Sequence, residues 1–178
     1  MIFIPICRGQ HFYLLVLEIT DDLNGFHIID NITSTSDFKD KYENVCDTVL
    51  YHFSRHFKNV NPLLSNILDL YQAEQLDLQW HTENNNIDCG VFLMRHMECF
   101  IGQPSKNWNC GIPVESKDQL EVLVKLRIKY AIKMLTHDIN TEATKILEDA
   151  NEYKSMYSIK EMKENYLRTR DYRVRRAY

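Results

Sequence analysis

The chain has 178 residues, of which 44% are hydrophobic and 26% charged, and a formal net charge of −4. That length suits one domain with a substantial core, and the composition excludes a disordered or low-complexity chain. The mild negative balance gives no basis for specific nucleic-acid binding by the whole chain, and no apolar run is long enough to span a membrane.

The apolar start, MIFIPIC, lacks the basic region and the small-residue cleavage site of a signal peptide. Cys7, Cys46, Cys89, Cys99 and Cys110 are odd in number, irregular in spacing and include no C-x-x-C pair. The expectation is reduced thiols in an intracellular protein, nuclear or cytoplasmic, with no metal site and no cofactor. No feature of the sequence sets an oligomeric state.

In chain order, Ile2–Ile6 predicts a short strand and His11–Ile19, HFYLLVLEI, a central one. Asp21–Gly25 is a turn signal ending in Asn-Gly, and Phe26–Asp30 the returning strand. Asn31–Ser36 reads as a polar loop. Phe38, Tyr42, Val45, Val49, Phe53 and Phe57 then recur at helical spacing, which predicts a helix over 37–57 that Asn61-Pro62 breaks. Leu63–Tyr71 predicts a shorter helix, Leu76–His81 a short alternating strand, and Cys89–Ile101 a helix capped by Asp88 and ended by Gly102-Gln-Pro. Lys117–Met134 follows as an amphipathic helix with Leu120, Leu123, Leu126, Tyr130 and Met134 on one stripe. Two more helices are predicted over 141–153 and 158–168. From Lys154 onward eight basic and three acidic residues give a net +5, which leaves −9 for the rest. The solvated end of a helix accounts for this basic tail better than a localisation or anion-binding stretch does. Strands followed by helices predict an α+β fold.

Cys89 stands apart from the other cysteines. A helix N-terminus offers unpaired N–H groups and a positive dipole end, and both favour the thiolate, which is the nucleophile. Gly90 beside it would let a substrate backbone approach. A nucleophilic cysteine needs a histidine and an orienting group. Of the seven histidines, His52, His56 and His96 fall on helices and read as surface or half-buried, whereas His11 opens the central strand. Antiparallel pairing of a strand that begins at His11 with one that ends at Asp30 brings those two side by side. Each of the three residues alone is more often structural than catalytic, and spacing leaves the choice open.

The segments GQHFYLLVLEI, FHIIDN and NNNIDCGVFLMRHME resemble the three catalytic blocks of the ubiquitin-like protease family, the SUMO- or sentrin-specific cysteine peptidases. The wording of PICRGQHFYLL, CGVFLMRHME and LRIKYA is most similar to the plant, transposon-like branch. The resemblance covers about residues 1–135. It implies the ubiquitin-like-protease type of papain-like fold, a central mixed or antiparallel sheet with flanking helices, and the C-terminal part of a catalytic domain whose N-terminal subdomain is missing. Residues 136–178 would be a helical, basic extension. The implied activity is that of a thiol protease acting in deSUMOylation, which cleaves after the C-terminal Gly-Gly of a ubiquitin-like modifier such as SUMO. The implied catalytic residues are Cys89 as nucleophile, His11 as base and Asp30 as its orienter. The modifier or its conjugates would be the partner, with no membrane involved.

Two positions depart from the family pattern. Phe12 stands where the family has tryptophan. Glu83 stands where a glutamine six residues before the cysteine donates to the oxyanion, together with the Cys89 backbone N–H. An ionised carboxylate accepts hydrogen bonds and cannot donate one; a one-residue loop shift would present Asn84 instead. Besides an active peptidase, the residues are therefore compatible with a degenerate, protease-like binding module, and less so with a protein acetyltransferase using a similar triad.

Overall fold

Three apolar runs at the start of the chain pair in sequence order to make most of the sheet. The computed structural model describes residues 1–19, 25–32, 38–83, 85 and 87–176, the backbone alone for 39 and 169–176. β1 (Ile2–Arg8) and β2 (His11–Glu18) are antiparallel and in register from Ile2 opposite Leu17 to Arg8 opposite His11. Only Gly9 and Gln10 join them, and Gly9 takes φ 65°, a conformation that glycine adopts without a Cβ penalty. β2 pairs antiparallel with β3 (Gly25–Ile29), Leu14 facing Ile29. Of the turn predicted between them, Asp21–Asn24 lie outside the described residues, as do Thr33–Ser36 of the next loop.

β4 (Ala73–Gln75) completes the order β1-β2-β3-β4 by pairing parallel with β3. The strand expected at Leu76–His81 is therefore displaced. The ladder ends at Gln75 with a bond from the Leu76 N–H to the Ile28 carbonyl, and Leu78 and Trp80 are buried from a loop. Apolar alternation there reflects burial and not pairing, because β3 ends at Ile29 and leaves no strand to extend the ladder.

The two faces of the sheet bury different helices. Tyr13, Leu15 and Leu17 of β2, with Phe26 and Ile28 of β3, form a core with Tyr42, Cys46, Leu50, Leu64 and Leu68. These last come from a π-helical turn, Lys39–Glu43, from α1 (Asn44–Phe57) and from α2 (Pro62–Leu68), whose N-terminus Asn61 caps by accepting from the Leu64 N–H. The helix predicted over 37–57 is present through its described residues, with the turn Lys39–Glu43 wound wider, and residue 37 lies outside them. On the other face α3 (Cys89–Cys99) packs against β2. It stops two residues before the predicted Ile101, because Phe100 turns extended and is buried against Trp108 and His27.

His96, expected at or near the surface, is fully buried in this second layer. Trp80 Nε1 donates to its Nε2 at 3.0 Å, and the rings of Phe92 and Trp108 lie beside it. Burial holds its imidazole down at about 3, so it stays neutral. Helical spacing could not foresee this, since the partner comes from a distant loop.

The residues group into two compact units, Met1–Arg127 and Ile128–Tyr178, with α4 (Lys117–Thr136) carrying the chain from one to the other. On the expected α4 stripe Leu123 and Tyr130 are buried, but Leu120 and Met134 are exposed. The second unit contains α5 (Ala143–Met156) and α6 (Ile159–Arg176). Ser158 and Glu161 close a reciprocal cap on α6, Ser158 N–H donating to Glu161 at 2.8 Å and Glu161 N–H to Ser158 Oγ at 3.4 Å. No described helix is long and apolar enough to cross a membrane.

Candidate active site

The start of β2 and the end of β3 meet as the antiparallel register requires, and their side chains are hydrogen-bonded. His11 Nε2 lies 2.8 Å from Asp30 Oδ1. Asp30 is buried, and its carboxylate is fully occupied. Oδ1 also accepts the Ile32 N–H at 2.9 Å, while Oδ2 accepts Tyr42 Oη at 2.7 Å and pairs with Lys41 Nζ at 2.9 Å. Burial alone would raise the pKa of this acid. The bonds from His11, the Ile32 amide, Tyr42 and Lys41 outweigh it and hold the acid at about 2. An ionised carboxylate only accepts, so Nε2 of His11 carries the proton of the neutral ring and Nδ1 keeps the lone pair.

Cys89 is the first residue of α3 and is buried. Its Sγ lies 3.8 Å from the carbonyl oxygen of Gln10, the residue before His11, so the thiol lies against the β1–β2 turn. Its backbone N–H has no acceptor among the described residues. Burial raises the thiols of two other cysteines, Cys46 to about 12 and Cys110 to about 11, which keeps both protonated and inert. Gly90 opens onto free space, for a Cβ built there meets nothing within 4 Å. Phe12 is 39% exposed at the mouth of β2.

Asp88 precedes the helix but does not cap it, contrary to the sequence expectation; its side chain makes no bond to the first turn. Instead Arg127 of α4 pairs with Oδ1, and Asn85 Nδ2 donates to Oδ2 at 2.9 Å. Asn85 Oδ1 accepts the N–H groups of Ile87 and Asp88 in return, which fixes the loop into Cys89. That loop is also tied to the acid. Thr82 N–H donates to the Asn31 carbonyl at 2.6 Å, and Ile32 and Thr82 form a parallel bridge, directly after Asp30.

No family model matches the chain, and no curated protein matches it. Among solved structures, the chain is similar to one described as "SUMO protease Ulp1 with the catalytic cysteine oxidized to a sulfenic acid". The identity is 14% and the TM-score 0.40, with 70% of this chain and 49% of that chain covered. This chain thus spans about half the length of that one.

Glu83 is exposed, and its backbone N–H donates to Glu115 Oε2 at 2.9 Å. Its side chain offers a carboxylate, which accepts hydrogen bonds, and no amide donor. Asn84 lies outside the described residues. Among the described residues no group of three or more His, Cys, Asp or Glu is placed to hold a metal ion. Sequence reasoning missed Lys41 and Tyr42. Tyr42 was legible as a core position, but a shared contact of two consecutive residues with one carboxylate was not. The wide π-helical turn that creates it has no signature in apolar spacing.

Proposed function

We propose that the chain is a cysteine peptidase or isopeptidase of the ubiquitin-like-protease type, cleaving after the Gly-Gly end of a ubiquitin-like modifier. The observation that carries this reading is the His11–Asp30 pair at 2.8 Å, with the Cys89 thiol against the carbonyl of the residue before His11. The three sequence blocks that resemble the family contain these same residues, and the α+β architecture with a mixed sheet and flanking helices is compatible with a papain-like fold.

In this reading His11 Nδ1 takes the thiol proton and Sγ attacks the glycine carbonyl carbon. The carbonyl electrons move to oxygen, and the Cys89 N–H donates to that oxyanion. Collapse breaks the C–N bond, and the amine leaves with the proton from His11. Water then attacks the thioester while His11 takes its proton and returns it to sulfur, freeing the glycine carboxylate. Asp30 holds the ring in the required tautomer and stabilises the imidazolium. Gly90 and the exposed face of Phe12 border the path of the substrate main chain.

The missing amide at Glu83 predicts slow turnover, since one oxyanion donor is worth about 10²–10³ in rate. A modifier precursor extended beyond Gly-Gly tests the proposal. Wild type should release the extension slowly, Cys89→Ala not at all, and Glu83→Gln roughly 10²-fold faster than wild type. Release by Cys89→Ala at the wild-type rate refutes it. One observation favours a second reading, a protease-like binding module: Glu83, at the position where the family has its amide donor, is exposed. Modifier binding by wild type with no release even in Glu83→Gln selects that reading.

A further inference from the structure

The carboxylate of Asp30 meets more than a histidine-orienting acid requires. One oxygen serves His11 and a backbone amide; the other is taken by a cation and a phenol from one π-helical turn. Two neighbouring residues of a helix point in different directions, and the wide turn over Lys39–Glu43 lets Lys41 and Tyr42 converge. The turn is anchored from β1, where Arg8 donates to the carbonyls of Lys41 at 2.8 Å and Asp40 at 3.4 Å. Lys41 Nζ also lies 4.9 Å from the centre of the Tyr42 ring, and Gln75 of β4 donates to the Tyr42 hydroxyl at 3.4 Å. Every part of this device has a partner, so the arrangement is built rather than incidental.

We infer that Lys41 is a positioning residue that sets the proton affinity of His11 by neutralising the far oxygen of Asp30, with Tyr42 locking the carboxylate in place. This inference rests on the His11–Asp30–Cys89 reading above. The direction follows from charge. Asp30 attracts positive charge on the His11 ring, and Lys41 on the far oxygen of the same carboxylate offsets part of that attraction.

Among the described residues, other ionisable groups also stand near the pair. Tyr13 of β2 stacks on His11 with ring centres 6.1 Å apart, and Tyr42 meets Tyr13 edge-on. Burial raises both phenols, so neither carries charge near neutral pH. Cys46 of α1 is likewise held as a thiol, and Arg8 stands on the β1 side. Asp77 and His81 line a cavity of about 260 Å³ with Asp30, and Cys89 faces the turn from α3. Among the described residues, Lys41 is the cation that bonds the carboxylate directly.

The test is an NMR titration of the His11 ring in the full chain without substrate, its signal assigned by loss in His11→Gln. In Lys41→Met and in Lys41→Gln the midpoint should move about one unit to higher pH than in wild type. Lys41→Arg, which keeps the charge, should leave it in place. Lys41 lies at the rim with 21% of its side chain exposed, so the two neutral variants are expected to fold, and the amide spectrum reports whether they do. An unmoved midpoint in either folded neutral variant overturns the inference, as does a shift in Lys41→Arg equal to that in Lys41→Met. The readout needs no turnover, so a chain that titrates as stated but never cleaves a modifier would refute the peptidase proposal alone.

Discussion

Gly90 is a residue whose stability effect and functional effect point in opposite directions. It lies in the first turn of α3, where alanine is the better helix former by up to about 1 kcal/mol. A methyl group there meets no protein atom within 4 Å. Gly90→Ala should therefore leave the melting temperature unchanged or slightly raised. In the proposed enzyme the added methyl stands where the substrate main chain passes, and kcat/KM for a modifier precursor should fall roughly tenfold or more, the equivalent of a ~1.4 kcal/mol clash. A melting temperature lowered by several degrees, or unaltered kcat/KM, would remove Gly90 from the substrate path. The contact of His11 with Asp30 and the place of Cys89 at a helix start were legible at this scale because strand ends, turn residues and helix starts carry distinct local chemistry. Lys41 was not, for nothing in its neighbours along the chain announces a carboxylate eleven residues earlier.

At the scale of elements, the helix that begins at Cys89 is held at its start by α4. Arg127 reaches Asp88, which is 3% exposed and otherwise paired only with Asn85 among the described residues. Removing one partner of a buried charge costs more than the pair itself contributes. Half of the Arg127 side chain is exposed, so water compensates part of the loss. Arg127→Met should destabilise the chain by about 1–3 kcal/mol in urea unfolding, and Asp88→Asn in that background should restore part of it. Equal stability of Arg127→Met and wild type would show that the link does not matter. The sequence marked Asp88 as a cap on its position alone. Its carboxylate turned instead to a cation from residue 127, a long-range partner that no local rule supplies. β4 differs from expectation for the same reason: a parallel strand of three residues is defined by its neighbour β3 and hardly by its own pattern.

For the whole molecule, two buried groups among the described residues link stability to pH, in windows that overlap between about pH 3 and 4. His96 is buried and neutral with a pKa lowered to about 3, so the unfolded chain binds its proton first. Its contribution is complete above about 6.5 and declines as pH falls toward 3, at about 1.4 kcal/mol per unit. Asp30, lowered to about 2, contributes fully above its ordinary carboxylate range near 4 and loses that contribution progressively as pH falls from there through about 2. Urea midpoints between pH 6.5 and 4 should therefore fall in wild type and flatten in His96→Gln, whose amide oxygen can still accept from Trp80. An equally steep fall in that variant would assign the acid sensitivity elsewhere. The central claim, that Cys89 is a nucleophile activated by His11, is tested most directly with a ubiquitin-like modifier carrying an electrophile at its C-terminus, followed by intact mass. Wild type should gain one modifier on Cys89, His11→Gln should react on the order of 10²-fold more slowly, and Cys89→Ala should gain none. Equal labelling of wild type and Cys89→Ala, or a rate indifferent to His11→Gln, would contradict the account.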